Sequence, residues 1–88
     1  MSCTVRIPSP LRSYTRGAQR VEAEGTTLAQ VLASLEARFA GIRFRVVDEQ
    51  ERIRPHIRLY VNTREAGALA APVAAGDTVH VICALSGG

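Results

Sequence analysis

The sequence predicts an α+β fold, in which a mixed sheet of four to five strands is covered on one face by one long helix. Three observations predict it: two short segments with alternating apolar residues open the chain, one helical apolar stripe follows, and further alternating segments close it. A lone amphipathic helix must bury its stripe, and the sheet is the surface available to cover it. The 88 residues are therefore interpreted as a single domain, residues 1–88.

The first two strands are predicted from alternation. Cys3, Val5 and Ile7 share one side of residues 3–7, which is typical of a half-buried strand. Prolines at positions 8 and 10 end this segment, and alternation returns at residues 20–23 after a polar turn. The pattern predicts a hairpin.

The long helix follows the segment Gly25-Thr26-Thr27. Thr27 and Gln30 have capping-box spacing, in which each side chain pairs with an N–H group left free at the helix start. One stripe with the period of a helix is formed by Leu28, Val31, Leu32, Leu35 and Phe39. Gly41 then supplies a left-handed stop.

Residues 42–55 show no clear period. Ile42, Phe44 and Val46 alternate as in a strand, but the segment is rich in arginine and runs into an acidic stretch at residues 48–51. That stretch is interpreted as a solvated turn, with a docking surface as the alternative. We predict a loop here and leave open whether it contains a short helix or a short strand.

The second half of the chain closes the sheet. Residues 57–62 form a clear strand, a weak strand is expected around residues 65–68, and residues 78–83 form the last strand. In the last strand, Val79, Val81 and Cys83 share one face, and Thr78, His80 and Ile82 share the other. Parallel pairing of the first and last strands would make the sheet mixed.

Composition excludes several classes of protein. A hydrophobic fraction of 47% argues against a disordered chain. The absence of a long apolar run and of a leader-like start leads us to expect a soluble, cytoplasmic protein without membrane contact. The net charge is +3, and all 11 basic residues are arginine. They are scattered with few aromatic residues between them, so no nucleic-acid partner is expected.

The thiols and imidazoles suggest no metal or catalytic site. The two cysteines, Cys3 and Cys83, are expected as buried reduced thiols, because parallel first and last strands would hold them too far apart for a disulfide. A role for Cys83 in sulfur transfer is the alternative. His56 and His80 lack neighbouring ligands of a recognisable set, so they are interpreted as structural and no metal is expected.

The sequence ends on Gly87 and Gly88, directly after its last strand. Glycine has no Cβ, so such a tail could pass through a narrow channel in another protein. A terminal carboxylate is ionised at neutral pH and resists nucleophiles, so it would need activation, usually adenylation by ATP. Chance or a truncated sequence would explain two glycines alone, but not the strand before them.

Several segments together resemble the ThiS/MoaD family of ubiquitin-like sulfur carriers, over nearly the whole chain. They are Ala75-Gly76-Asp77-Thr78-Val79 with the apolar strand that follows, the terminal Gly-Gly, Gly25-Thr26-Thr27-Leu28, Arg54-Pro55-His56 and Tyr60-Val61-Asn62. The Arg-Pro-His stretch and the longer middle loop are more similar to the carriers that serve cysteine biosynthesis. The resemblance implies a ubiquitin-like β-grasp fold.

The resemblance also implies a mechanism. An E1-like adenylating enzyme would use ATP and Mg to activate the carboxylate of Gly88, and a cysteine desulfurase or rhodanese would supply sulfur to form a thiocarboxylate. Gly88 and Gly87 would then enter the active site of a sulfur-accepting synthase. The chain itself would be no enzyme and would bind no cofactor, since it lacks a nucleotide-binding glycine loop.

Docking residues and alternatives complete the interpretation. Partners are expected to contact Arg58, Tyr60, Ile82, Leu85 and Ser86, and the free chain is expected to be a monomer. The alternatives are the small subunit of molybdopterin synthase, a β-grasp interaction module without sulfur chemistry, and a protein modifier joined to lysines through Gly88.

Overall fold

A computed structural model describes residues 2–84. Their order is β1 (Ser2–Arg6), a 3-10 turn (Ser9–Leu11), β2 (Arg20–Glu24), α1 (Leu28–Arg38), α2 (Ile42–Val46), β3 (Ile57–Val61), β4 (Arg64–Ala66) and β5 (Thr78–Cys83). Each predicted strand is present within two residues of its expected bounds.

The described strands form a single sheet with the order β2-β1-β5-β3-β4. β1 pairs in parallel with β5, and the other neighbouring pairs are antiparallel. The predicted hairpin and the predicted parallel pairing of first and last strands are both confirmed. The last strand in the sequence, β5, therefore lies at the centre of the sheet.

Helix α1 covers one face of this sheet. Its stripe residues Leu28, Val31, Leu32 and Leu35 are buried against inward strand residues such as Val5 and Leu59. Full burial of each such side chain stabilises the fold by about 1.5 to 3 kcal/mol. Phe39, the last residue of the predicted stripe, is only half-buried and caps the helix.

The helix start differs slightly from the predicted capping box. Thr27 Oγ1 accepts a hydrogen bond from the Gln30 N–H at 3.2 Å, as predicted. The Gln30 side chain instead accepts from the N–H of Thr26 at 2.8 Å, one residue earlier than expected. Both hydrogen bonds of the capping box are thus formed, but the Gln30 side chain bonds the N–H of Thr26 instead of the N–H of Thr27.

Gly25 sets the turn into this helix. Its φ is +150°, and a Cβ at this position would lie 2.7 Å from the Cβ of Gln30. No other residue fits this close approach without moving the backbone. The glycine of the segment Gly25-Thr26-Thr27-Leu28 is therefore required by packing.

The undecided middle segment begins with a short helix, α2. Ile42 and Val46 are buried, while Phe44 is 53% exposed. Residues four apart share a helix face, so the spacing that resembled strand alternation places Phe44 outward. An isolated bridge between Val47 and Ile53 then closes the acidic turn.

The acidic turn is held by one of its own carboxylates. Asp48 Oδ1 accepts from the backbone N–H groups of Gln50 at 2.9 Å and Arg52 at 3.0 Å. These bonds hold the pKa of the Asp48 carboxyl below its ordinary value. The turn is thus held by its own carboxylate, and its Glu51 also pairs with Arg43 of α2.

Among the residues described, no helix has the length and apolar character needed to span a membrane.

Candidate functional site

Strand β5 connects the folded domain to the predicted reactive tail. Its last residue, Cys83, pairs with Ile57, and the N–H of Ala84 donates to the carbonyl of His56 at 2.8 Å. The predicted site residues Leu85, Ser86, Gly87 and Gly88 lie outside the described residues 2–84. Their roles remain predictions.

The start of β5 is held by a cluster of hydrogen bonds between Asn62 and Asp77. Asn62 Nδ2 donates to Asp77 Oδ1 at 3.0 Å, and Asn62 Oδ1 accepts from the N–H of Thr78 at 2.9 Å. Asp77 Oδ2 also accepts from the N–H of Ala74 at 2.8 Å. Asn62 has a φ of 57°, a conformation that asparagine tolerates better than most residues.

This cluster joins two of the segments on which the family resemblance rests, Tyr60-Val61-Asn62 and Ala75-Gly76-Asp77-Thr78-Val79. Hydrogen bonds from the Ala74 N–H, and next from the Asn62 amide, hold the pKa of the Asp77 carboxyl below its ordinary value. The cluster also reaches β1, because the N–H of Thr4 donates to the carbonyl of Asp77 at 3.0 Å. These segments therefore fix where β5 enters the sheet, at the end opposite the tail.

The three predicted docking residues that are described lie together on the outer sheet face, opposite α1. Arg58 is directly across from Ile82, and Tyr60 is across from His80. Ile82 is 44% exposed, and Tyr60 is half-buried. An apolar side chain thus stays open to solvent two residues before the described chain ends at Ala84.

Charges of both signs lie on this face. Arg58 forms an ion pair with Glu65 at 2.9 Å, across from Tyr60 on β4. The sequence could not predict this pair, because the register between β3 and β4 decides it. The face is therefore mixed in charge around Ile82.

Cys83 faces the inner side of the sheet at the point where the tail begins. Its side chain is half-buried, and burial raises the pKa of its thiol. The thiol therefore stays protonated at neutral pH, and thiols react mainly as thiolates. Cys3 is a free, buried cysteine on β1. Burial is the main cause that raises the pKa of its thiol as well.

A groove opens beside Cys83 that sequence analysis did not identify. It has a volume of about 370 Å³ and is lined by Pro10, Leu11, Tyr14, Arg45, His56 and Cys83. Its walls come from the turn after β1, from α2, from the residue before β3 and from the end of β5. We call it the tail groove, because it lies where β5 ends.

Within residues 2–84, no cluster of three or more His, Cys, Asp or Glu side chains could hold a metal ion. His56 is exposed next to the tail groove, whereas His80 lies half-buried on the outer face between Tyr60 and Arg6. The two imidazoles therefore lie in different surroundings and form no common site.

Sequence comparison with known proteins finds a family model and a relative that match nearly the whole chain. A model of the ThiS family matches residues 5–88. The chain is 40% identical over 93 positions to the sulfur carrier protein CysO of Mycobacterium tuberculosis, and the match covers 100% of both chains.

Two solved structures are closely similar. The crystal structure of the BexX/CysO complex of Amycolatopsis orientalis matches with a TM-score of 0.91 and 40% identity, over 98% of this chain and 99% of that chain. The crystal structure of Mycobacterium tuberculosis CysO matches with a TM-score of 0.89 and 36% identity, over 94% and 99%. The predicted ubiquitin-like β-grasp fold is thereby confirmed.

Proposed function

Because this chain belongs to the ThiS family, we propose that it is a sulfur carrier whose Gly88 carboxylate is activated and converted to a thiocarboxylate. The observation that carries the proposal is the family match, which runs from β1 to Gly88 and so includes the Gly-Gly end. The name of the CysO relatives, sulfur carrier protein, supports the same role. The chain is a substrate of partner enzymes rather than an enzyme.

The chemistry takes place in two steps at the terminal carboxylate. A carboxylate oxygen of Gly88 attacks the α-phosphorus of ATP in an E1-like partner, and pyrophosphate leaves. Sulfide then attacks the acyl carbon, and AMP leaves with both bonding electrons. Where a desulfurase or rhodanese supplies the sulfur as a persulfide, the attack gives an acyl disulfide, and a thiol must reduce its S–S bond to release the thiocarboxylate. The resulting thiocarboxylate is an anionic nucleophile that donates its sulfur to an electrophile held by the acceptor.

The domain contributes docking rather than catalysis. Ordering the four residues 85–88 in a partner's channel costs about 4 to 8 kcal/mol in backbone entropy. Contact through the outer face around Ile82 and Tyr60 offsets this cost, because buried apolar area stabilises association. Arg58 would lie within the same contact, next to Ile82.

The acceptor is proposed to be an enzyme of cysteine biosynthesis. Support comes from the 40% identity to CysO over the full length of both chains. The Arg54-Pro55-His56 segment adds to this support, since it is more similar to the carriers that serve cysteine biosynthesis.

The experiment is intact-mass analysis after incubation with a purified E1-like enzyme from the same organism, ATP, Mg²⁺ and sulfide. Replacing one oxygen by sulfur raises the mass by about 16 Da, and the loaded group must be a soft nucleophile that an alkylating reagent traps. Deleting Gly88 moves the terminus by one residue and is expected to abolish loading while the unfolding free energy stays the same. A loaded chain that ends at Gly87 would refute the assignment.

The matched control keeps the terminus and changes the terminal residue. Gly88→Ala preserves chain length and carboxylate but adds a Cβ, so it is expected to load more slowly if the partner's channel is narrow. If neither variant differs from the parent chain and no mass is gained in any of them, the protein acts as an interaction module without sulfur chemistry.

A further inference from the structure

We propose that the tail groove receives an acidic side chain of the E1-like enzyme that activates Gly88. A carboxylate of that enzyme pairs with Arg45, and the apolar part of the same side chain packs against Pro10 and Leu11, which line the groove. The inference rests on the proposed function, which supplies the partner enzyme. It adds a second contact surface to the outer sheet face and states which chemical group recognises it.

The groove lies beside the last described residue of the chain. Cys83 at the end of β5 lines it, and so does His56, whose carbonyl accepts from the N–H of Ala84. Gly88 follows Ala84 by four residues, and four residues span at most about 14 Å in any conformation. An enzyme that reacts with Gly88 must therefore bring its surface close to the end of β5, which the groove borders.

The groove carries positive charge and no carboxylate. Arg45 lines it, and no Asp or Glu of residues 2–84 is among its lining residues. No carboxylate within the same residues forms an ion pair with Arg45, whereas the nearby Arg43 pairs with Glu51. The charge that complements Arg45 is therefore expected to come from the partner.

Tyr14 holds the guanidinium of Arg45 in place. The guanidinium carbon lies 5.7 Å from the centroid of the Tyr14 ring, and Arg45 Nε donates to the Tyr14 hydroxyl. The two terminal nitrogens remain to donate side by side to one carboxylate. Because a guanidinium that is already positioned loses less freedom on binding, this arrangement favours pairing with a partner.

The wall of the groove favours a protein carboxylate over a polyanion. Pro10, Leu11 and Cys83 give the groove an apolar side, and its volume of about 370 Å³ accommodates one side chain. A nucleic acid would instead need several cations in a row, to follow its phosphates. A single arginine beside an apolar wall is thus suited to an Asp or Glu on the surface of an enzyme.

The test measures binding without ATP, so its result does not depend on activation or sulfur loading. Isothermal titration calorimetry gives the dissociation constant of the full chain and the purified E1-like enzyme from the same organism. We expect Arg45→Glu to raise this constant about tenfold and Arg45→Gln to raise it about threefold, because a like charge repels the acidic group and a neutral residue only loses the attraction. High salt should weaken binding of the parent chain more than binding of Arg45→Gln, since an exposed ion pair is screened.

The matched control is Arg64→Glu, which makes the same change of charge on an exposed arginine of β4. Arg64 lies at the end of the sheet opposite the tail, since it pairs with Val61 and Val61 pairs with Val79. Its dissociation constant is expected to change by less than about twofold. Equal dissociation constants for Arg45→Glu and Arg64→Glu would overturn the inference.

A second variant separates the charge from the shape of the arginine. Arg45→Lys keeps the cation but loses the two parallel donors, so its affinity should lie between those of the parent chain and Arg45→Gln. An affinity as low as that of Arg45→Glu would contradict pairing with an acidic group. If the parent chain gains mass with sulfide but Arg45→Glu binds as the parent does, this inference fails and the proposed function stands. If the parent chain does not bind the enzyme, the inference falls together with the proposed partner.

Discussion

The two ends of β5 are built in opposite ways. At its start, the Asn62 amide donates to the Asp77 carboxylate, both side chains accept from neighbouring backbone N–H groups, and β1 is held in the same cluster. At its end, the described chain is held by the bond from Ala84 to His56, with the exposed Ile82 on one side and the tail groove on the other. The difference shows that β5 is anchored at its start by side-chain hydrogen bonds, whereas its end lies beside exposed surface.

This contrast separates stability from function along a single strand. Substitutions at the start should change the free energy of unfolding and leave the chemistry of the tail intact. Substitutions at the end should change the interaction with partners and leave stability nearly unchanged.

The largest expected effect is on stability, at the start of β5. Asp77→Ala removes the acceptor for the N–H of Ala74 and for the Asn62 amide, so we expect the unfolding free energy to fall. Asn62→Ala should cost a similar amount, and the double variant should cost less than the sum because the residues are bonded to each other. Urea denaturation of the four proteins measures this coupling.

The second-largest expected effect is on the rate of sulfur loading, from a substitution at the end of β5. Ile82→Ser should lower kcat/KM for loading by the activating enzyme about tenfold, which corresponds to about 1.4 kcal/mol of lost docking energy. The matched control is Phe44→Ser, since Phe44 is the other large apolar side chain exposed within residues 2–84 and lies on α2. Equal losses in the two variants would contradict docking by the outer face.

A change of pH is expected to have a smaller effect on stability, through Asp77 at the start of β5. The pKa of Asp77 is lower in the folded chain than in the unfolded chain, so the unfolded state binds the proton more readily. The stabilisation by this carboxylate is present above about pH 4 and is lost as the pH falls through its folded pKa. Thermal unfolding at a series of pH values should show a shallower acid decline in Asp77→Asn. Parallel curves would exclude Asp77 as a contributor.

The smallest effect is expected at Cys83. Because burial raises the pKa of its thiol, Cys83→Ser should load with sulfur at the parent rate and change the unfolding free energy by less than about 1 kcal/mol. Loss of loading in this variant would instead assign sulfur transfer to the thiol.

The sequence predicted those parts of the fold that depend on local periodicity. The stripe of α1 and the alternation of β1, β3 and β5 are each set by neighbours in the chain, so Leu32 and Val79 could be placed correctly. Helix α2 could not be decided, because five residues contain too few turns to tell a helix from a strand. Its signal was the spacing of Ile42 and Val46.

The candidate site was predictable only in part for the same reason. The outer positions of Tyr60 and Ile82 follow from alternation within single strands. The ion pair of Arg58 with Glu65 depends on the register between strands, and the tail groove is assembled from four distant segments. Neither the ion pair nor the groove produces a periodic pattern in the sequence.

The most direct test locates the sulfur within the chain. Arg64 is the last arginine, so trypsin releases residues 65–88 as one peptide that contains both Cys83 and Gly88. After loading, we predict a gain of about 16 Da in fragments that include Gly88 and no gain in fragments that end at Cys83, whereas a persulfide on Cys83 would add about 32 Da. Mass gained at Cys83, or an unchanged peptide after complete incubation, would contradict the account.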